Sequence, residues 1–137
     1  MLWQETAPAA VRAAHAADPD GYLTTQGHVL AVPDFLTTLA TEAAIHHLDM
    51  TVHLPNAPAP DPDALAAAVD TLDGLARIAD AGTASDADTV NDAGTVNDAR
   101  PGRPPNWSAE EYILKATGRL RLTPAEAAAT GGYPLLS

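Results

Sequence analysis

Alanine dominates the apolar residues of this chain, and this limits the hydrophobic core that the chain can build. The sequence has 137 residues, of which 46% are nominally hydrophobic, but 30 residues are alanine. Aromatic residues make up only 4% of the chain. Since few large side chains remain, we expect one small core rather than two well-packed domains.

Charge and composition exclude several classes of function. The chain carries 18 acidic and 7 basic residues, a formal net charge of -11, which opposes binding to nucleic acid or anionic lipid. No apolar run approaches the roughly 20 residues of a membrane span, and Met1–Glu5 lacks the features of a signal peptide. We therefore predict a cytoplasmic protein without membrane or nucleic-acid partners. Because cysteine is absent, any metal site must use histidine and carboxylate ligands.

Residues 1–54 are predicted to form two helices. The alanine-rich stretch Leu2–Ala17 favours a first helix, which a turn at Asp18–Gly21 ends. Tyr22–Val32 is typical of a connecting loop with a flexible glycine. Pro33 and Asp34 suit the first turn of a second helix, and no breaker interrupts its pattern over Phe35–Leu54. Pro55 ends this second helix.

The next two segments are predicted to differ: residues 55–79 contain a linker and a helix, whereas residues 80–105 are expected to be disordered. The first range starts as a proline-rich linker and continues as a third helix, with Asp61 as its cap and Pro62 in its first turn. The second range is of low complexity and holds two copies of one short unit, at Thr89–Ala93 and Thr95–Ala99. Its two valines cannot offset the cost of ordering, so a disordered insert is expected.

Residues 106–137 are predicted to form a C-terminal helical segment. Ser108 with Glu111 makes a capping box, and Thr123 with Glu126 repeats the same pattern for a short last helix. Further local features are packing of Trp107 on Tyr112, a helix end at Gly118, a stop at Gly131–Gly132, and docking of the tail Tyr133–Leu136.

One stripe of the second helix could carry chemistry. At about 100° per residue, Glu42, His46, Asp49 and His53 share one face. Large apolar residues flank this stripe on both sides, which predicts that it lies within the buried arc of the helix. The flanking residues are Leu36, Leu39, Ile45, Met50 and Val52.

The spacing of Glu42 and His46 allows two interpretations. A buried carboxylate needs a compensating charge, and a divalent cation supplies one while neutral imidazole acts as a second ligand. Alternatively, the two side chains pair on a partly exposed face, as polar residues at this spacing often do. His47 is expected at the surface, Asp49 could orient His46, and His53 suits a helix end.

Two segments resemble a known family. The first segment resembles the metal-binding helix of the mycothiol-dependent maleylpyruvate isomerase family, within the DinB-like four-helix-bundle group. It begins at Gly27–Leu30, continues through Asp34 and ends in Glu42–Asp49, which reads Glu-x-x-x-His-His-x-Asp. Glu111–Arg119 and the end of the chain, Pro134–Leu136, are similar to the C-terminal segment of such proteins.

The resemblance implies an all-α fold, the C-terminal part of a DinB-like up-and-down bundle with additional C-terminal helices. It implies one divalent metal, usually zinc, bound by Glu42 and His46 and by a histidine of an earlier helix, with mycothiol as the thiol cofactor. The implied full-length parent is an isomerase or thiol transferase acting on small electrophilic substrates. Family members have two further helices before the stretch that begins here at Leu2, so the resemblance implies an N-terminally truncated chain that is inactive or weakened. If the chain is instead a natural remnant, His15 or His28 would supply the third metal ligand.

A second hypothesis belongs to another class of function. The apolar helix face around Phe35, Leu39 and Met50 would be left uncovered in such a chain, so the chain could be a non-catalytic helical module that forms a homo-oligomer through this face. Metal content distinguishes the two hypotheses. No phosphate-binding loop or nucleophile elbow supports a third.

Overall fold

The computed structural model describes residues 2–84, 103–130 and 133–135. These residues form five helices and one two-stranded antiparallel hairpin, so the predicted all-α class is confirmed. The elements are α1 (Leu2–Ala16), β1 (Tyr22–Thr25), β2 (His28–Ala31), α2 (Val32–Thr51), α3 (Pro62–Ala84), α4 (Ala109–Ala116) and α5 (Pro124–Thr130). Among these described helices, none has the length and apolar character needed to cross a lipid bilayer.

The chain divides into two compact units, Met1–Ala40 and Thr41–Ser137. The first unit holds α1, the hairpin and the start of α2. Asp18 closes the turn after α1, because its carbonyl accepts from the Gly21 amide at 3.1 Å and its carboxylate accepts from the Asp20 amide at 3.0 Å. This turn lies at the position predicted from the Asp-Pro-Asp-Gly sequence.

The hairpin corrects the prediction of a connecting loop over Tyr22–Val32. Thr25 pairs with His28, so Gln26 and Gly27 form a two-residue turn. Both residues have positive φ, 48° and 82°, as a type I′ hairpin turn requires. The Val32 amide donates to the Gly21 carbonyl at 3.0 Å, which closes the open end of the hairpin. Gly27 is therefore a fixed turn residue rather than a flexible point.

α2 begins where the sequence indicated and ends earlier. It starts at Val32, so Pro33 and Asp34 lie in its first turn as predicted, where Asp34 interacts favourably with the helix dipole. It ends at Thr51 instead of Leu54, and the Leu54 amide then donates to the Thr51 carbonyl at 2.8 Å in a turn.

The second unit contains the hydrophobic core, which the end of α2, α3, α4 and Trp107 supply. Leu72, Tyr112 and Ile113 are its largest fully buried side chains. Alanine takes part wherever helices approach closely; the small core residues are Ala44, Ala68, Ala76 and Ala116. Four of the eleven buried hydrophobic residues in the described part of the chain are thus alanine, which keeps this core small, as expected.

The local capping predictions for the second unit are confirmed. The Asp61 carboxylate accepts from the Asp63 amide at 2.9 Å, and the Ser108 hydroxyl accepts from the Glu111 amide at 3.1 Å. α4 ends at Ala116 with Thr117 as its C-terminal cap, and Gly118, with a φ of 73°, is the residue after the cap, close to the predicted helix end. The Leu135 amide donates to the Ala116 carbonyl at 2.7 Å, which docks the tail.

The predicted disordered insert, residues 80–105, overlaps the structure only at its ends. α3 continues to Ala84, so residues 80–84 are helical, contrary to the prediction. The propensity of the preceding alanine-rich turns extends the helix beyond its last large apolar residue. Residues 103–105 form no helix or strand, and residues 85–102, which include both copies of the repeated unit, lie outside the described residues, as do the Gly131–Gly132 stop and Leu136.

Candidate functional site

The predicted metal pair lies together on α2. Glu42 Oε2 and His46 Nε2 are 3.6 Å apart, within the distance expected of two ligands that share one ion. This proximity follows from the i,i+4 spacing along a regular helix. The predicted convergence of the two side chains is therefore confirmed.

Burial of this stripe was predicted and is wrong. The side chains of Glu42 and His46 are 57% and 66% exposed. The face of α2 that packs into the core is instead formed by Thr41, Ala44, Ile45 and Leu48. On a helical wheel this face is centred about 120° from the polar stripe, so only the Ile45 flank of the stripe is covered.

The other apolar flank of the stripe is in solvent. Met50 is 69% exposed and Leu39 is also exposed. Ala44 explains why the large apolar flanks were a poor guide to burial, because a small residue lets neighbouring elements pack closely and the face of α2 that carries it is the covered one. Desolvation therefore does not force a cation onto Glu42, and the alternative of a pair on an exposed face agrees better with the structure.

Asp49 and Arg119 extend the pair into a row of polar contacts. Asp49 Oδ2 lies 3.8 Å from His46 Nδ1, while Arg119 Nε donates to Asp49 Oδ1 at 2.6 Å. Arg119 Nη1 also donates to the Thr117 carbonyl at 3.2 Å. His46 thus has one carboxylate near each ring nitrogen, and one of these carboxylates is anchored.

The other histidines do not join this group. His47 is half-buried rather than a surface residue, and its Nε2 lies 2.9 Å from the Pro58 carbonyl in the linker. His15, His28 and His53 are exposed. Among the described residues, no group of three or more histidine and acidic side chains is arranged to hold a metal ion.

A buried charged cluster joins α4 to α5. The Lys115 side chain is only 5% exposed, and its Nζ donates to Glu111 Oε1 at 2.6 Å and to Glu126 Oε1 at 2.5 Å. The ammonium also lies 4.3 Å from the centre of the Trp107 ring, a cation–π contact. Trp107 Nε1 donates to Glu126 Oε1 at 3.2 Å.

The cluster perturbs its own titration. Burial alone would lower the pKa of Lys115, but hydrogen bonds to Glu111 and Glu126 outweigh burial and raise it. The hydrogen bond from Lys115, followed by the one from the Thr123 amide, lowers the pKa of Glu126 to about 2. Both groups are therefore charged near neutrality, so Lys115 holds α5 in place rather than acting as a nucleophile.

Sequence reasoning did not find this cluster. The i,i+4 spacing of Glu111 and Lys115 was a visible signal of half of it. The contact between Lys115 and Glu126 joins α4 to α5, so no spacing along one helix indicates it. The sequence pattern also explains Glu126 fully as part of the second capping box. That box is present as well, because Glu126 Oε2 accepts from the Thr123 amide at 2.8 Å.

A second buried hydrogen bond joins α3 to α4. The Tyr112 hydroxyl donates to Asp73 Oδ1 at 2.7 Å, and the Tyr133 hydroxyl lies 3.4 Å from it. Burial, together with these hydrogen bonds, raises the pKa of the Tyr112 phenol far above its ordinary value. The phenol is therefore a permanent donor. Trp107 and Tyr112 lie 6.5 Å apart between ring centres, consistent with the predicted packing of these two residues.

A groove of about 690 Å³ runs along α3. Its polar lining comes from Asp70, Asp73 and Arg103, and Leu65 and Val69 are among its apolar lining residues. Glu42 and His46 do not line it. The candidate metal pair therefore lies on the open surface of a helix, away from this groove.

Comparisons with known proteins give no relatives. No family model, no curated protein and no solved structure matches the chain. Kinship with the maleylpyruvate isomerase family therefore remains a prediction from the sequence segments named above. Among the structural observations, the proximity of Glu42 and His46 on α2 bears most directly on function.

Proposed function

We propose that this chain supplies the metal-ligating helix of a divalent-metal- and mycothiol-dependent isomerase or thiol transferase that acts on small electrophilic substrates. The observation that carries the proposal is the 3.6 Å separation of Glu42 Oε2 and His46 Nε2 on one exposed face of α2. The family resemblance of Glu42–Asp49 supports the mycothiol part. Zinc is the preferred ion, because carboxylate oxygen and imidazole nitrogen are among its usual ligands.

The donor set fits one part of such a centre. Glu42 provides an anionic oxygen and His46 a neutral nitrogen, which leaves further coordination positions on the solvent side. A divalent ion there would lower the pKa of a bound thiol or water and so favour the nucleophilic form near neutral pH. Catalytic zinc sites normally have three protein ligands, so two ligands alone predict weak binding.

Cobalt absorption spectroscopy tests the metal part of the proposal. We expect the purified chain to bind one Co²⁺ with d–d bands that zinc abolishes, and we expect Glu42→Gln and His46→Ala to remove the bands. His53→Ala is the matched control, since this exposed histidine follows the same helix. Equal spectra for His46→Ala and His53→Ala would contradict the assignment.

The same sample tests the thiol part. Adding mycothiol to the cobalt-loaded chain should produce a thiolate-to-cobalt charge-transfer band in the near ultraviolet, because the open coordination positions accept a thiolate. An S-methylated mycothiol is the control, as it cannot form the thiolate. A spectrum unchanged by mycothiol, with the metal bound, would refute the thiol cofactor while leaving the metal site in place.

A second candidate function is a non-catalytic module that associates with a second copy of the chain. The exposure of Met50, Val52 and Leu54 at the end of α2 and just after it favours this reading, because clustered exposed apolar residues promote association. Sedimentation velocity distinguishes the two. A dimer without metal that Met50→Gln dissociates would support the module, whereas a monomer that binds cobalt would support the enzyme.

A further inference from the structure

The groove along α3 combines an apolar wall with charges of both signs. Its lining residues on α3 share one face of the helix, with Leu65 and Val69 nearer the start and Asp70 and Asp73 further along. At 1.5 Å per residue, the distance from Leu65 to Asp73 along the helix is about 12 Å. Arg103, which precedes α4, lines the same groove. The groove therefore offers apolar contact, an acidic end and one guanidinium.

The groove has the size of a small-molecule site. Its volume of about 690 Å³ lies within the range of about 300–1,000 Å³ that is usual for ligand pockets. Leu65 and Val69 are half-buried and pack against the hydrophobic core, so the core supports the apolar wall from behind. An apolar group of a ligand would therefore meet a surface that is already in place.

The carboxylate of Asp73 is held from inside the protein. The fully buried Tyr112 donates its hydroxyl to Asp73 Oδ1 at 2.7 Å. Arg77, one turn further along α3, donates its Nε to the backbone carbonyl of Asp73 at 3.0 Å and not to the carboxylate. The oriented carboxylate thus keeps Oδ2 for a donor that enters the groove.

Two other charged side chains of the groove are unpaired within the described part of the chain. Asp70 and Arg103 are both exposed, and neither side chain has an ion pair or a hydrogen bond with another described residue. Carboxylates pair with ammonium groups, and a guanidinium pairs with a carboxylate in a defined geometry. Charge complementarity therefore favours a ligand that carries both an ammonium and a carboxylate.

We infer that this groove binds a small zwitterion with an apolar body, of the amino-acid type. The ammonium lies at the two aspartates, the apolar side chain contacts Leu65 and Val69, and the carboxylate pairs with Arg103. Free amino acids and short peptides share this chemistry and differ in the separation of their charges. Because Glu42 and His46 do not line the groove, the inference is independent of the proposed function.

A titration with leucine and with the dipeptide leucyl-leucine tests the inference. Methyl ¹H–¹³C spectra of the full, isotope-labelled chain report Leu65 and Val69 directly. We expect saturable shifts of both residues with one zwitterion or both, and the tighter of the two identifies the free amino acid or the peptide as the class of ligand. The methyl groups of Ile78, which is exposed on α3 outside the groove, should not move. If neither zwitterion produces saturable shifts, the inference is wrong.

Two relatives of leucine, each lacking one charged group, separate the roles of the charges. 3-Methylbutylamine lacks the carboxylate and 4-methylpentanoate lacks the ammonium. We expect the amine to bind more weakly than the zwitterion, and the acid to bind weakest because two carboxylates line the groove. Binding of the amine as tight as that of the zwitterion would contradict the role of Arg103.

Matched variants locate the binding. Asp70→Asn should raise the dissociation constant of the zwitterion about tenfold, as expected for a lost hydrogen bond between charged groups at an exposed site. Arg103→Gln should weaken binding of the zwitterion and leave binding of the amine unchanged. Asp63→Asn is the control, since it removes the same charge from an exposed position of α3 outside the groove. Equal dissociation constants for Asp70→Asn and Asp63→Asn would show that only the net charge of the chain attracts the ligand, and this would overturn the inference.

Discussion

The Tyr112 hydroxyl offers the sharpest test of how α3 and α4 are held together. Replacing Tyr112 by Phe keeps the buried ring in place and removes only the hydrogen bonds of the hydroxyl, of which the 2.7 Å bond to Asp73 Oδ1 is the shorter. The ring itself is fully buried, so no cavity and no new exposed surface result. The change therefore isolates one interaction between the two helices.

The expected loss follows from the kind of bond. A hydrogen bond to a charged group contributes about 1.5–3 kcal/mol to the free energy of unfolding. Asp73 is only half-buried, so its carboxylate regains some hydration when the hydroxyl is removed. The bond to Tyr133, at 3.4 Å, is long and adds little. We therefore expect Tyr112→Phe to lower the free energy of unfolding by about 2 kcal/mol.

Urea denaturation followed by fluorescence measures this loss. Trp107 is buried close to Tyr112 and should report the unfolding of the second unit. A Trp3→Phe background removes the other tryptophan of the chain. With a slope of about 2 kcal/mol per molar urea, the midpoint should fall by about 1 M while the slope stays constant.

A double-mutant cycle assigns the loss to the bond with Asp73. If the hydroxyl and the carboxylate stabilise each other, Tyr112→Phe and Asp73→Ala together should cost less than the sum of the single changes by at least about 1 kcal/mol. Tyr133→Phe is the control for the longer bond and should be close to neutral. A loss below about 0.5 kcal/mol for Tyr112→Phe, or full additivity with Asp73→Ala, would refute the reasoning.

Three further predictions concern other parts of the chain. Glu126→Gln should remove a part of the stability that depends on pH. The pKa of Glu126 in the folded chain is about 2, against an ordinary 4.5, so its contribution to stability is complete above about pH 4.5 and is lost as the pH falls towards 2. Urea midpoints of the parent chain and the variant between pH 2 and pH 6 measure this loss. Leu72→Ala should cost about 3 kcal/mol in the same urea assay, because Leu72 is fully buried, whereas exposed Ile78→Ala should change little. Gly27→Ala should accelerate amide exchange in the hairpin about fivefold, since a φ of 82° costs alanine about 1 kcal/mol. Gly27→Asn should cause a smaller acceleration, because asparagine tolerates positive φ better. Equal exchange rates for the alanine variant and the parent chain would contradict the turn assignment.

Local chemistry explains which helix starts could be predicted from the sequence. Asp61, Ser108 and Thr123 each cap a helix within three residues of chain, so their geometry depends on no distant contact. The same holds for the proximity of Glu42 and His46, which one turn of helix fixes. These features were correct because the residues that determine them are neighbours in sequence.

The hairpin shows where local reasoning failed although a signal existed. Gln26 and Gly27 lie between strands that contain threonine, valine and leucine, the composition of a two-residue hairpin. The strands are short, and their exposed and half-buried residues alternate only in β1. Without a clear alternation, the glycine was interpreted as a flexible loop residue instead of as the positive-φ position of a turn.

The burial of α2 could not be predicted, because it depends on which face another element covers. Leu39 and Met50 are large apolar residues and are exposed, whereas the small Ala44 is buried in the core. In a chain with so much alanine, close packing of small residues competes with burial of large ones, and hydrophobicity alone does not decide between them. For this reason the prediction that Glu42 is buried and needs a metal ion was wrong, although the predicted proximity of Glu42 and His46 was correct.

α4 and the turn after it make polar contacts with three other helices of the described chain. Tyr112 bonds to α3, Lys115 bonds to α5, and Arg119 bonds to α2, so three polar side chains within eight residues tie the unit together. Each of these partners is distant in sequence, which is why the sequence alone did not reveal them. Of these three residues Arg119 alone contacts the polar stripe of α2, through Asp49. Because that ion pair is about one-third exposed whereas Tyr112 and Lys115 are buried, we expect substitutions at Tyr112 or Lys115 to lower the free energy of unfolding more than a substitution at Arg119.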